Sequence, residues 1–138
     1  MTGLLLANAL GTLVMTGLAW FVQLVHYPLF RLIPADGFAA YEREHVRRTS
    51  WVVVPTMLLE ATAAALLVAV QPEALTVAGV LLLAIVWAST FGLQVPAHAR
   101  LEHGFDGAVH ARLVGTSWIR TLAWSGRATI ALALLAAT

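Results

Sequence analysis

Long apolar runs alternate with short polar breaks along the whole chain. Four runs, at about 4–30, 51–70, 74–97 and 118–138, are long enough to cross a bilayer, which takes roughly 20 helical residues. The first has no basic leader and stays apolar for too long to be a cleavable signal peptide, so it reads as a span. The breaks differ in kind. Gln71-Pro72-Glu73 is a tight turn, whereas the segments between runs one and two and between runs three and four are longer and polar. Within the first long break, residues 38–49 fit an amphipathic helix, with Phe38, Tyr41 and His45 on one face and Glu42, Arg43, Glu44 and Arg47 on the other. That helix either lies at the membrane surface or extends span two. Pro55 should bend span two near its start. The pattern predicts an all-α integral membrane four-helix bundle, a single domain over 1–138, with amphipathic segments covering one mouth.

An internal echo divides the chain into halves of about 1–70 and 71–138. Gly37-Phe38 and Thr49-Ser50-Trp51 recur 67 residues later as Gly104-Phe105 and Thr116-Ser117-Trp118, within ten identities over the 34 positions from 37 to 70. Upstream, a one-residue slip aligns Pro28 with Pro96 and His26 with Gln94. Two parallel two-helix repeats are expected, related by a pseudo-twofold axis along the membrane normal.

Composition sharpens this picture. Apolar residues make up 60% and charged residues 11%, against roughly a quarter charged in soluble domains. Mean hydropathy is +0.84. With no cysteine there is no disulfide, thiolate metal site or cysteine nucleophile. A net charge of +1 gives no electrostatic reason to expect nucleic acid. Every basic residue is arginine, and the arginines outside the apolar runs lie in the two long breaks: Arg31, Arg43, Arg47 and Arg48, then Arg100 and Arg112. The positive-inside rule puts both long loops in the cytoplasm and both termini outside, in what is expected to be a bacterial inner membrane.

Two constellations carry candidate chemistry. Glu60 stands nine residues past Trp51, ~13 Å along a helix and near the bilayer midplane, where a lone carboxylate needs a partner. Arg127 is its counterpart 67 residues later and nine past Trp118, so the two are expected to pair. The pair either fixes helix register or takes part in catalysis or a substrate path. The second constellation is histidine. His26 and His98 close spans one and three, each beside a proline and after a glutamine (Gln23, Gln94), and His45 sits on the amphipathic segment. Three imidazoles from separate elements at one level suit Fe, Cu, Zn or haem iron. Tyr41 and Arg120 are expected beside them, with Gln23 and Gln94 as cofactor contacts. His103 and His110 read as solvated loop residues. With Glu60 the one intramembrane carboxylate, a carboxylate-bridged di-iron centre is not expected.

The strings His26-Tyr-Pro, Phe38-x-x-Tyr41-x-x-x-His45, Pro55-x-Met-Leu-Leu-Glu60, Gln94-x-Pro96-x-His98 and Trp118-Ile-Arg120-Thr resemble those of a family of small four-helix bacterial membrane proteins. That family is distantly similar to the anthrone-oxygenase-like membrane proteins, which implies a four-helix membrane fold and an oxidative role. The expected function is a membrane-embedded, histidine-liganded metal or haem protein, an oxidoreductase acting on a small lipophilic substrate. Two other readings stand beside it: a small oligomeric transporter or channel with Glu60 and Arg127 lining the path, and a structural subunit of a membrane complex. The lipid bilayer is a partner in each, and a homo-oligomer is compatible with all three.

Overall fold

The computed structural model describes residues 1–137, so Thr138, the last residue of the fourth apolar run, lies outside the described residues. The described chain is almost wholly helical and has no strand. Its four long helices are α1 (Thr2–Leu32), α2 (Ala35–Val70), α3 (Ala74–Leu101) and α4 (Gly107–Ala136). The first three are long and apolar enough to cross a membrane. Expectation and structure differ at the fourth. α4 has the length, with 30 residues, but Arg120 and Arg127 interrupt its apolar run. Arg127 is buried inside the bundle, so the helix is more apolar outside than its composition suggests.

Local chemistry sets the helix ends. Asp106 caps α4 by accepting from the amides of Ala108 and Val109 at 2.9 and 3.0 Å. Glu73 and Thr76 form a reciprocal capping box at the start of α3. Gly104, with φ +140°, supplies the left-handed turn between α3 and α4. α2 runs unbroken through Pro55 for 36 residues. The amphipathic segment is therefore the first third of α2, a helical extension and not a separate surface helix. At ~1.5 Å per residue, α2 spans ~54 Å, well beyond a ~30 Å hydrocarbon core.

α4 packs closely on α1 and α3, and α1 on α2, while the α2–α3 seam is the sparsest of the four. The core forms three layers. Leu5, Leu67 and Leu134 close one end. Met15, Met57, Val86 and Trp124 fill the middle. Tyr27, Phe30, Phe38, Leu101 and Leu113 fill the other end. Leu6, Leu10, Leu58, Leu81, Ile85 and Leu132 point outward, an apolar exterior suited to lipid.

α1 and α3 share a further feature. Each widens into a five-residue π-helical segment, Val22–His26 in α1 and Thr90–Gln94 in α3, ending two residues before Pro28 or Pro96. A proline cannot donate to the carbonyl four residues back and its ring crowds that carbonyl, and the wider turn relieves both problems. The segments stand 68 residues apart, matching the slip that aligns the two prolines.

Candidate metal centre

Glu42 and His45 are three residues apart on α2, so their side chains leave one helix face together. That face turns inward at the three-aromatic end of the core, toward His98 on α3 and toward His26 and Tyr27 at the end of the wide turn of α1. The ring centroids of His26 and His45 are 4.6 Å apart, and those of His45 and His98 are 5.4 Å apart. Three of the histidines singled out in the sequence thus come together.

Their hydrogen bonds separate their roles. His26 Nε2 and His45 Nδ1 share a hydrogen bond of 2.9 Å, with Thr49 Oγ1 3.2 Å from the same Nδ1. His45 Nε2 is left uncommitted. His98 bonds on both sides, through Nε2 to the Tyr27 hydroxyl at 2.9 Å and through Nδ1 to Glu42 Oε1. Arg120 Nη2 donates to that same hydroxyl at 3.3 Å. Glu42 is completely buried, and its Oε2 has no hydrogen-bond partner. A buried, unpaired carboxylate oxygen is expensive and calls for a water or an ion.

Glu42, His45 and His98 each offer one ligand atom, and the three atoms lie within 4.8 Å of one another. This group could hold a metal ion. Its membership differs from the expected set at two positions. Glu42, expected on the solvated face of the amphipathic segment, is buried among the histidines. His26 stands one hydrogen bond further out, on the back of the His45 ring. The sequence carried a signal for Glu42. Glu42-x-x-His45 is the i, i+3 carboxylate–imidazole pair that metal-binding bundles use, here hidden among the charges of Arg43, Glu44 and Arg47.

Two clefts reach the centre. One, of about 220 Å³, opens at the sparse α2–α3 seam and is lined by His45, Thr49, Gln94, His98 and Arg120, with Val53 and Val95 among its apolar walls. The other, of about 410 Å³, lies between α1 and α2 against Phe21, His26, Tyr41 and His45. His45 belongs to both.

The other singled-out residues fall at varied distances from this group. Tyr41 stacks parallel to His45 with centroids 6.4 Å apart and is half exposed in the larger cleft. Gln94 is buried on the wall of the smaller one, accepting from Ser89 and donating to Thr116. Gln23 is turned away and donates to the Val114 carbonyl at 3.1 Å, tying α1 to α4. His103 is exposed and bonds to the Ala99 carbonyl. His110, expected to be solvated, is buried, with Nε2 2.7 Å from the Tyr27 carbonyl. It serves a backbone acceptor near the proline that deprives α1 of a donor.

Glu60 and Arg127 form a separate network, ~22 Å from His45 along α2. Arg127 Nε donates to Glu60 Oε1 at 2.8 Å, and both side chains are buried. Thr12 donates to Glu60 Oε1 at 2.9 Å and Trp124 to Oε2 at 3.0 Å. Arg127 Nη1 donates to the Gly79 carbonyl, and Nη2 to Asn8 and Thr12 at 3.2 Å each. All four helices contribute, and both carboxylate oxygens and all three guanidinium nitrogens are engaged. Against known proteins, no family, curated sequence or solved structure matches this chain.

Proposed function

We propose that this chain is an integral membrane metalloprotein in which Glu42, His45 and His98 hold a single metal ion for oxidative chemistry on a small lipophilic substrate. The observation that carries the reading is the buried, unpartnered Oε2 of Glu42 beside two imidazoles whose ligand atoms lie within 4.8 Å. Two imidazoles and one carboxylate with open positions are the donor set of non-haem Fe(II) oxygenases, and Zn²⁺ accepts the same donors. With a metal bound, His98 would ligate through Nδ1 and Glu42 through its carboxylate, and the proton they share would be released. His98 Nε2–H then donates to the Tyr27 oxygen, and the His26 bond to Nδ1 orients the His45 ring. The chain's own residues thereby aim both imidazoles.

A single ion fits this setting better than haem. The His45 ring has Phe30 5.2 Å and Tyr27 6.4 Å away, centroid to centroid, with Tyr41 stacked at 6.4 Å, which crowds the approach of a macrocycle on those sides. The two clefts give lipophilic molecules a way in from the side. We take the motif residues to resemble a family of small four-helix membrane proteins distantly similar to the anthrone-oxygenase-like proteins, and an oxidative reaction is what that resemblance implies. The arginines around it support a cytoplasmic placement of the centre, and the matched π segments and prolines support duplication of the halves. The transport reading is less well supported, because the space beside Arg127 is about 10 Å³, room for about one water.

Metal analysis of protein purified into lipid nanodiscs tests the proposal. About one Fe, Mn or Zn per chain is expected, absent from His45→Ala and His98→Ala and retained in His103→Ala. Metal-free wild type after incubation with each ion would overturn it.

A further inference from the structure

Arg120 projects from α4 into the smaller cleft, the one that opens between α2 and α3 onto His45 and His98. Its bonding is incomplete. Nη2 donates to Tyr27 and Ser117 at 3.3 Å each, Nη1 donates to nothing, and Nε is buried without a partner. No carboxylate pairs with it among the described residues. Glu102 lines the same cleft and forms no ion pair with it. The contrast with Arg127 is sharp, since that guanidinium has every nitrogen engaged and a carboxylate of its own.

The hydroxyl and amide side chains on the wall are already satisfied. Thr49 bonds to His45, Ser50 donates to the Val46 carbonyl at 2.7 Å, and Thr90 donates to the Val86 carbonyl at 2.8 Å. Gln94 is held by Ser89 and Thr116. Arg120 is therefore the one cation on the cleft wall, unpaired among the described residues, beside the free Nε2 of His45 and the carboxylate of Glu102. Val46, Val53 and Val95 make its walls apolar. A partly buried cation without a counter-ion is costly, and an anionic oxygen from outside the chain removes that cost through charge-assisted hydrogen bonds.

We infer that the α2–α3 cleft binds an amphiphile with an anionic oxygen head, a medium-chain carboxylate in class, its head on Arg120 and its chain between Val53 and Val95. The volume of about 220 Å³ suits a head group and a short chain, any longer tail passing out through the seam. Bound this way, the first carbons of the chain lie along the wall that carries His45 and His98. That such a ligand is a substrate, and not merely a guest, rests on the metal reading of those residues.

Photo-crosslinking tests the inference. The full chain in nanodiscs is exposed to decanoic acid carrying a chain diazirine, or to decanol with the same tag, and adducts are mapped by mass spectrometry. Peptides around Val53 and Val95 should be labelled about tenfold more by the acid than by the alcohol. Arg120→Gln should erase that preference and Arg120→Lys restore part of it, with labelling in the larger cleft unchanged as an internal check on folding. Equal labelling by acid and alcohol in wild type, or an acid preference that survives Arg120→Gln, overturns the inference. If Arg120→Gln does not fold, the wild-type comparison and Arg120→Lys decide it. Running the set on His98→Ala separates the two readings. An acid preference in a chain that binds no metal supports recognition by Arg120 even if the metal reading fails, and a metal-loaded wild type without that preference does the reverse.

Discussion

Glu60 Oε1 accepts from Arg127 Nε at 2.8 Å across the bundle interior, and the two residues are 67 positions apart, the spacing that also separates Trp51 from Trp118. Equal distance from equivalent tryptophans put the charges at one depth. Removing either partner leaves an uncompensated charge, so Glu60→Gln or Arg127→Met should cost about 3–5 kcal/mol. The double variant Glu60→Leu with Arg127→Met should recover much of the loss. Reversible denaturant unfolding in micelles measures all three, and a Glu60→Gln protein as stable as wild type would show that the pair does not hold the fold.

Gly11 packs α1 against the backbone of Glu60. A Cβ there would lie 3.1 Å from Glu60 Cβ and 3.3 Å from its backbone, whereas at Gly17 nothing lies within 4 Å. Gly11→Ala should destabilise by about 1–3 kcal/mol through overpacking against an immobile helix. Gly17→Ala should be neutral or slightly stabilising by helix propensity. The same unfolding assay separates them, and equal effects would mean that α1 yields at Gly11.

Glu42 and His26 should differ in kind when substituted. Glu42→Ala removes a donor atom and should abolish metal retention. His26→Ala removes the group behind the His45 ring and should weaken affinity about 10–100-fold without abolishing it. Competition with a chelator of known strength ranks the two. Complete loss in His26→Ala, with Glu42→Ala still loaded, would move the ion to the other side of His45.

Tyr27→Phe keeps the buried ring and deletes the hydroxyl between His98 and Arg120. The fold should persist, because the ring packs against Phe30 and makes its contacts through carbon. Metal affinity should drop about tenfold or more as His98 loses its orienting bond. An unchanged affinity would assign the orientation of His98 to Glu42 alone.

Much of this arrangement was legible in the sequence, though unevenly. The apolar runs and the turn at 71–73 predicted the helices, because length and hydropathy dominate in a chain so poor in charge. The partnership of Glu60 and Arg127 followed from the repeat, since a buried carboxylate must find a cation. Glu42 was missed because three flanking charges disguised an inward position. The Glu42-x-x-His45 spacing hinted at it, and the approach of His98, on another helix, reveals it. The burial of His110 and the aim of Gln23 toward Val114 were equally hidden, as both serve single backbone carbonyls that no spacing rule identifies.

The wide turns of α1 and α3 have a geometric consequence of their own. An α-helix advances ~100° per residue and a π turn less, so five π-helical residues leave all that follows roughly a quarter turn out of phase with all that precedes. α1 and α3 are each two rods on one axis, clocked differently. The longer rod sets the lipid-facing stripe and the shorter one aims Tyr27 or His98. Trimming one residue from 90–94 would let the rods mesh as a single α-helix. His98 would still face Glu42, since four α-helical residues turn the chain about as far as five π-helical ones, so the added residue lets Pro96 enter the helix without moving the centre.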